Sequence, residues 1–236
     1  MQINSLQNKN IKFFSSLKLK KNRDQAKKFL IEGDHLIDEA IKHDVELELI
    51  STSNPDAQYF VTEDIMKKIS TQKSICENAA VCSFLIEREI KGNILILDNL
   101  QDPGNLGTII RSASAFNIDT IILSNDSVDL YNEKVIRASE GMMFHMNILR
   151  RDLTEAITKL KNDGYTIIGT DVKNGSNIKS INNETIAIVI GNEGSGISDN
   201  IKSMCDKFIK IKMNKDVESL NAAVAASIIM YEVYDE

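Results

Sequence analysis

Five consecutive apolar residues at 186–190, I-A-I-V-I, break directly into G-N-E-G-S-G at 191–196. A short run with no polar member reads as a strand buried on both faces. Several such runs between helical stretches leave few possible folds, because every strand must be covered on both sides. The second half of the chain has this pattern. I-L-I-L at 94–97 is another buried strand, and strands are expected at 120–123, 144–148, 165–169 and 208–211. Helices are expected between and after them, at 106–116, 134–139, 153–163, 199–204 and 220–234. Strands alternating with helices give a parallel sheet with helices on both faces.

The first half reads as a smaller α/β unit. Residues 4–20 place Ile11, Phe14 and Leu17 at helical spacing, with lysines opposite. A strand is expected at 29–33, then a helix to about residue 42 capped by Asp34. Further strands are expected at 45–50, 58–61 and 79–86, and Thr62 is expected to cap a helix over 63–69. The polar stretch E-R-E-I-K-G-N marks a boundary near residue 91, giving two domains, 1–91 and 92–236.

Charge narrows the partners. The formal net charge of the 236 residues is −6, yet residues 1–28 hold eight basic side chains against Asp24 alone. That is a local excess of seven, with −13 left for the remainder. Such asymmetry fits a phosphate-binding patch on an acidic body, or else a solvated arm. No apolar run approaches the roughly 20 residues of a membrane span, and the first residues lack the pattern of a secretory signal. A cytoplasmic location is therefore expected. Cys76, Cys82 and Cys205, like His35, His43 and His145, are scattered without metal-ligand spacing, so no metal site is expected.

Three stretches carry candidate chemistry. In the first, Glu193 is the lone acid among Gly191, Gly194 and Gly196. Glycine permits close backbone approach, and the carboxyl end of a buried strand is where open α/β sheets bind ligands. Alternatively Glu193 merely lies near a helix N-terminus. The second is N-L-G-T-I-I-R, with Asn105 at a bare turn and Arg111 on the following helix. The planar fork of arginine suits phosphate. Asn105 as a helix cap and Arg111 in a surface ion pair is the plainer alternative. The third is S-L-N at 219–221, where a helix of small residues begins. There Ser219 could simply be a cap.

Together, N-x-G-x-x-x-R at 105–111, G-N-E-G-S-G at 191–196 and S-L-N at 219–221 resemble the SpoU (TrmH) family of RNA ribose 2′-O-methyltransferases, of the SPOUT superfamily. Residues 134–145 and the opening half, notably F-L-I-E-G-D-H-L, are similar to that family too. The family's I-P-M before the third motif is I-K-M here, with Lys212 in place of proline, and Asn117 stands where the family has glycine. The resemblance implies a C-terminal domain tied in a deep trefoil knot, a homodimer through that domain, and S-adenosylmethionine as methyl donor. It implies cofactor contacts from Thr170, Gly191, Gly196, Ile211 and Leu220. Asn105, Arg111, Glu193, Ser219 and Asn221 are implied as catalytic, with Glu193 holding Arg111 or Asn221. Ribosomal RNA is the expected substrate. The alternatives are transfer RNA, methylation of a base nitrogen, or a non-catalytic RNA-binding protein that keeps the fold.

Overall fold

The computed structural model describes residues 1–236 apart from 73, 75, 172–174, 178–184 and 234–236, and it divides into two compact units. The first comprises Met1–Ile86 and Asp129–His145, the second Glu87–Val128 and Met146–Glu236. The contacts therefore do not divide the chain at residue 91. The segment Asp129–His145, which the sequence places with the second domain, packs with the first.

In the first unit, β1 (Gln2–Ile3), α1 (Lys9–Ser16), α2 (Lys20–Ala26), β2 (Lys28–Glu32), α3 (Asp34–Lys42), β3 (Leu47–Ser51), β4 (Tyr59–Val61), α4 (Glu63–Ile69) and β5 (Asn78–Ser83) follow in order. The strands form one mixed sheet, β1-β4-β3-β5-β2. The helical spacing within 4–20 corresponds to α1, and a second helix, α2, starts at the end of that stretch. Asn8 caps α1 by accepting from Asn10 N at 2.8 Å. Beyond its end, the Arg23 guanidinium donates to the carbonyls of Leu17 and Lys18 at 2.8 and 2.9 Å. It also pairs with Asp129 at 2.5 Å. A buried arginine thus satisfies carbonyls that a continuous helix would have paired internally. Thr62 caps α4 as expected. Asp34 does not cap α3, because Gly33 holds the cap position at φ +99°. Ile11, Phe14 and Leu17 pack on Ile65, Met66 and Ile69 to form the core.

The second unit continues with β6 (Ile94–Leu97), α5 (Pro103–Ala115) and β7 (Thr120–Ser124). The chain then supplies α6 (Glu133–Ala138) and a 3₁₀ turn, Met142–Phe144, to the first unit. It returns as β8 (Asn147–Arg151), α7 (Leu153–Asn162), β9 (Thr166–Thr170), β10 (Ser176–Asn177), β11 (Ile186–Ile190), α8 (Asp199–Met204), β12 (Lys207–Lys210) and α9 (Ala222–Val233). The strand expected at 144–148 begins only at Asn147, because Gly141, at φ +80°, opens the 3₁₀ turn instead. The last residue of the helix expected over 220–234 lies outside the described residues.

All seven strands of this unit are parallel, in the order β10-β12-β9-β11-β6-β7-β8. Every residue of β6 and β11 is buried, which explains their unbroken apolar runs. Being parallel, the strands end on one edge of the sheet, and the loops after β6, β9, β11 and β12 leave from that edge.

Candidate functional site

Strands β6 and β11 are neighbours, with Leu97 opposite Ile190. They end together, and Asp98 N continues the ladder by donating to Ile190 O at 2.9 Å. The loops that follow therefore start side by side, and Asp98 ties them again by accepting from Ser198 N at 2.7 Å. A pairing between strands some ninety residues apart brings the first and second motifs together.

Glu193 faces the start of α5. Its Oε1 accepts from Asp102 N and Asn105 Nδ2, each at 3.0 Å, and its Oε2 from Gln101 N at 3.2 Å. Asn105 Oδ1 accepts in turn from Asn221 Nδ2 at 2.9 Å. Asn221 Oδ1 accepts from Ala223 N and Val224 N at 2.9 and 3.2 Å, so Asn221 caps α9. One hydrogen-bonded line, Glu193–Asn105–Asn221, thus joins all three motifs. It corrects one expectation and removes two of the plainer alternatives. Glu193 holds Asn105 rather than Arg111 or Asn221. Asp102 caps α5, with Pro103 in its first turn, so Asn105 is not a cap and its side chain is free to bridge. Asn221, and not Ser219, caps the last helix.

Burial works against the charge of Glu193, but the hydrogen bonds from Asn105, Asp102 and Gln101 outweigh it. The carboxyl is held below its ordinary value near 4.5. A lowered folded value adds stability above the unfolded value and loses it as pH falls through the folded one. The stability difference between the native chain and Glu193→Gln is therefore expected to be full above about pH 5 and to fade as the medium is acidified. Urea unfolding from pH 7 to pH 3 reads this directly. A difference constant over that range would mean that the ionised carboxylate is not what the line of bonds requires.

The glycine turn is shaped by close approach. A Cβ on Gly191 would lie 2.1 Å from Gly196 C and 2.2 Å from Ile197 N. Asn192 and Gly196 exchange backbone hydrogen bonds of 2.9 and 3.0 Å across the turn, with Gly196 at φ +71°. Asn192 organises it by accepting from Gly194 N and Ser195 N and donating to Asn99 O at 2.8 Å. Asn192 is a residue of the site that the motif reading does not single out. Its signal was an Asn two residues before a glycine, the pattern of an Asx turn.

Beside this turn lies an open cleft of about 220 Å³, a little under the ~300–1,000 Å³ range of small-molecule sites. Thr170, Gly191, Gly196, Ile211 and Leu220 all line it, and so do Glu193 and Ser219. Its apolar floor includes Ile190, Ile209 and Ile229. The Thr170 hydroxyl donates to Val189 O at 3.1 Å. Asp171, also at the cleft, pairs with Lys202 at 3.1 Å. Arg111 is neither in the cleft lining nor in the bonded line. It is exposed on α5, one and two-thirds turns beyond Asn105, with no hydrogen-bond or ion-pair partner among the described residues.

In the first unit, histidines that are scattered in the sequence are partly brought together. His43 and His145 lie with ring centroids 3.8 Å apart, beside Glu39. The basic N-terminal set is thinner than its count. Arg23 is buried, Lys28 pairs with Glu48, Lys20 pairs with Asp24, and Lys18 donates to the carbonyls of Lys68 and Ser70. Lys9, Lys12 and Lys21 remain exposed, with no ion-pair partner among the described residues.

Two family models match this chain, and the one that covers its second half spans Asp129–His145 as well. Residues 92–231 match the SpoU rRNA methylase family, and residues 8–75 match the MRM3-like substrate binding domain. The chain is 34% identical to the 23S rRNA (guanosine(2553)-2′-O)-methyltransferase RlmP of Bacillus subtilis, over 98% of both chains. A solved RNA 2′-O ribose methyltransferase is 28% identical, with a TM-score of 0.81 over 98% of this chain and 97% of that one. The AdoMet-bound rRNA methyltransferase of Sinorhizobium meliloti shares the fold, with a TM-score of 0.89 over 98% and 96% of the two chains at 24% identity. With three motifs joined at one sheet edge, a substrate-binding domain before them and a family match over more than half its length, the chain belongs to the SpoU rRNA methylase family.

Proposed function

We propose that this protein methylates a ribose 2′-hydroxyl of RNA, with S-adenosylmethionine as donor and ribosomal RNA as substrate. The observation that carries the proposal is the line Glu193–Asn105–Asn221, whose first member lines an apolar cleft. The 23S rRNA specificity of the Bacillus subtilis relative supports ribosomal over transfer RNA.

The cleft suits the donor. The close packing of Gly191 on Gly196 and Ile197 folds the turn tightly, and the turn so folded walls the cleft. The apolar strand ends and Leu220 would flank a planar base, with Thr170, Gly196 and Ile211 around it. Once bound, S-adenosylmethionine supplies an already activated methyl group. The protein's part is then mainly to position the acceptor hydroxyl and help it lose its proton. Arg111 is always protonated and is no base. It stabilises the charge that develops on the ribose oxygen, while a phosphate of the substrate accepts the proton. Glu193 fixes Asn105, and Asn105 orients the hydroxyl. Ser219 shapes the wall of the cleft.

The same proposal includes a cytoplasmic homodimer and the trefoil knot. The sheet order supports the knot: β12 lies on the far side of β9 from β11, and the chain then returns as α9 onto α5. The domain of residues 1–91 takes the RNA. Replacing Lys9, Lys12 and Lys21 with alanine is expected to weaken RNA binding about tenfold and flatten its salt dependence by about 2 in the log–log slope. Affinity for the donor stays unchanged. Calorimetric titration with S-adenosylmethionine and its demethylated product tests the cleft. Micromolar binding that Glu193→Ala weakens agrees with the proposal. A folded protein that binds neither ligand, with or without RNA, refutes it.

A further inference from the structure

Glu39 and His43 stand four residues apart around the end of α3, so their side chains share one face. The residue that joins them, His145, comes from more than a hundred positions later, at the end of Asp129–His145. Among the described residues, one ligand atom from each of these three lies within 4.8 Å of the other two. His145 Nε2 is 2.7 Å from Glu39 Oε2, and Lys42 Nζ occupies the other carboxylate oxygen at 2.7 Å.

This arrangement is held in place from outside the cluster. Gly141, at φ +80°, runs so close to α3 that a Cβ on it would lie 2.8 Å from Glu39 Cγ. The 3₁₀ turn Met142–Phe144 follows and delivers His145. His35, one turn before Glu39, is 3.2 Å from Glu140 O and fastens the same segment. The carboxylate lies inside, with its side chain 9% exposed, while that of His145 is 34% exposed. An ion would therefore reach the site from the imidazole side.

We propose that Glu39, His43 and His145 form a binding site for one borderline divalent transition-metal ion, with zinc as the reference case. Two imidazoles and a carboxylate suit zinc, cobalt, nickel or copper, and disfavour magnesium and calcium, which prefer oxygen. Zinc sits about 2.0–2.1 Å from such ligands, which requires donor atoms about 3–4 Å apart. The widest present spacing, up to 4.8 Å, therefore needs closure by about 1–2 Å, which the exposed rings can supply. The ion takes the place of the proton shared by His145 and Glu39. Lys42 stays on Oε1, where an outer hydrogen bond orients the ligand. With three protein ligands, solvent completes the coordination. The ion would clasp α3 to Asp129–His145, a segment supplied from between two strands of the other sheet. The cluster is independent of the proposed methyl transfer, and metal binding is read without activity.

The test uses the full chain, with any affinity tag removed, titrated with Zn²⁺ by calorimetry and with Co²⁺ by visible absorption. One ion per chain is expected, together with a rise in the melting temperature on adding zinc. His43→Ala and His145→Ala are each expected to lower the affinity at least about tenfold, the scale on which ligand-shell changes act. Cys76→Ser and Cys205→Ser, at free thiols outside the cluster, are each expected to keep it. If either alanine variant fails to fold, the native chain decides: Co²⁺ must broaden the ring proton signals of His43 and His145 selectively. No binding of either ion, or binding that both alanine variants retain, overturns the proposal.

Discussion

Replacing Arg111 with alanine is expected to lower the single-turnover rate of RNA methylation about 10²–10³-fold, the cost of removing one group that stabilises a developing oxyanion. Affinity for S-adenosylmethionine is expected to stay within about twofold, because Arg111 does not line the cleft. The argument rests on its surroundings. A guanidinium on the face of a well-capped helix, with no acidic partner among the described residues, is available to an anionic ligand. Arg111→Lys keeps the charge but loses the planar fork, and should fall between the native and alanine rates. Rapid-quench measurement at saturating RNA separates the outcomes. A near-native rate for the alanine variant contradicts the assignment.

The second large effect is expected at Gly191. Alanine there sets a methyl against the backbone of Gly196 and Ile197, which cannot rotate out of the way. Relief requires the turn to open, which breaks the paired hydrogen bonds between Asn192 and Gly196. Overpacking of this kind costs about 1–3 kcal/mol. Because the turn forms one wall of the cleft, donor affinity is expected to fall at least about tenfold. Gly194→Ala is the matched control. A Cβ at Gly194 meets only Asn192 Oδ1, at an ordinary 3.6 Å, and its expected cost is below about 1 kcal/mol. Denaturant unfolding and donor titration of the two variants together distinguish a local clash from a general intolerance of side chains in the turn.

Much of the fold was legible because its signals are local. Unbroken apolar runs at Ile94–Leu97 and Ile186–Ile190 announced strands covered on both faces. Thr62 announced the start of α4. What escaped depends on distant partners. Nothing near Phe14 says that its helix will stop at Ser16, since the carbonyls past that end are satisfied by Arg23, itself fixed by Asp129. Asp34 looked like a cap, but the backbone conformation of Gly33 put it inside the helix.

The site divides in the same way. Thr170, Gly191, Gly196, Ile211 and Leu220 meet at one cleft because the strands that carry or precede them end at one edge, which the alternation of strands and helices announces. The partners of Glu193 are not legible in this way. Which side chain it would hold depended on how Asp102 capped α5 and freed Asn105, a matter of a few residues' register. The pairing of His43 with His145 was invisible for the further reason that Asp129–His145 leaves one sheet's sequence to pack in the other unit.

The most direct test of the central claim is the chemical position of the methyl group. Purified protein, donor carrying a labelled methyl, and ribosomal RNA are incubated together, and the product RNA is hydrolysed in alkali. A methyl on the ribose 2′-oxygen removes the nucleophile that cleaves the adjacent phosphodiester. The account therefore predicts label in an alkali-resistant dinucleotide, lost with Arg111→Ala. Label recovered in alkali-released mononucleotides would place the methyl on a base and contradict the account.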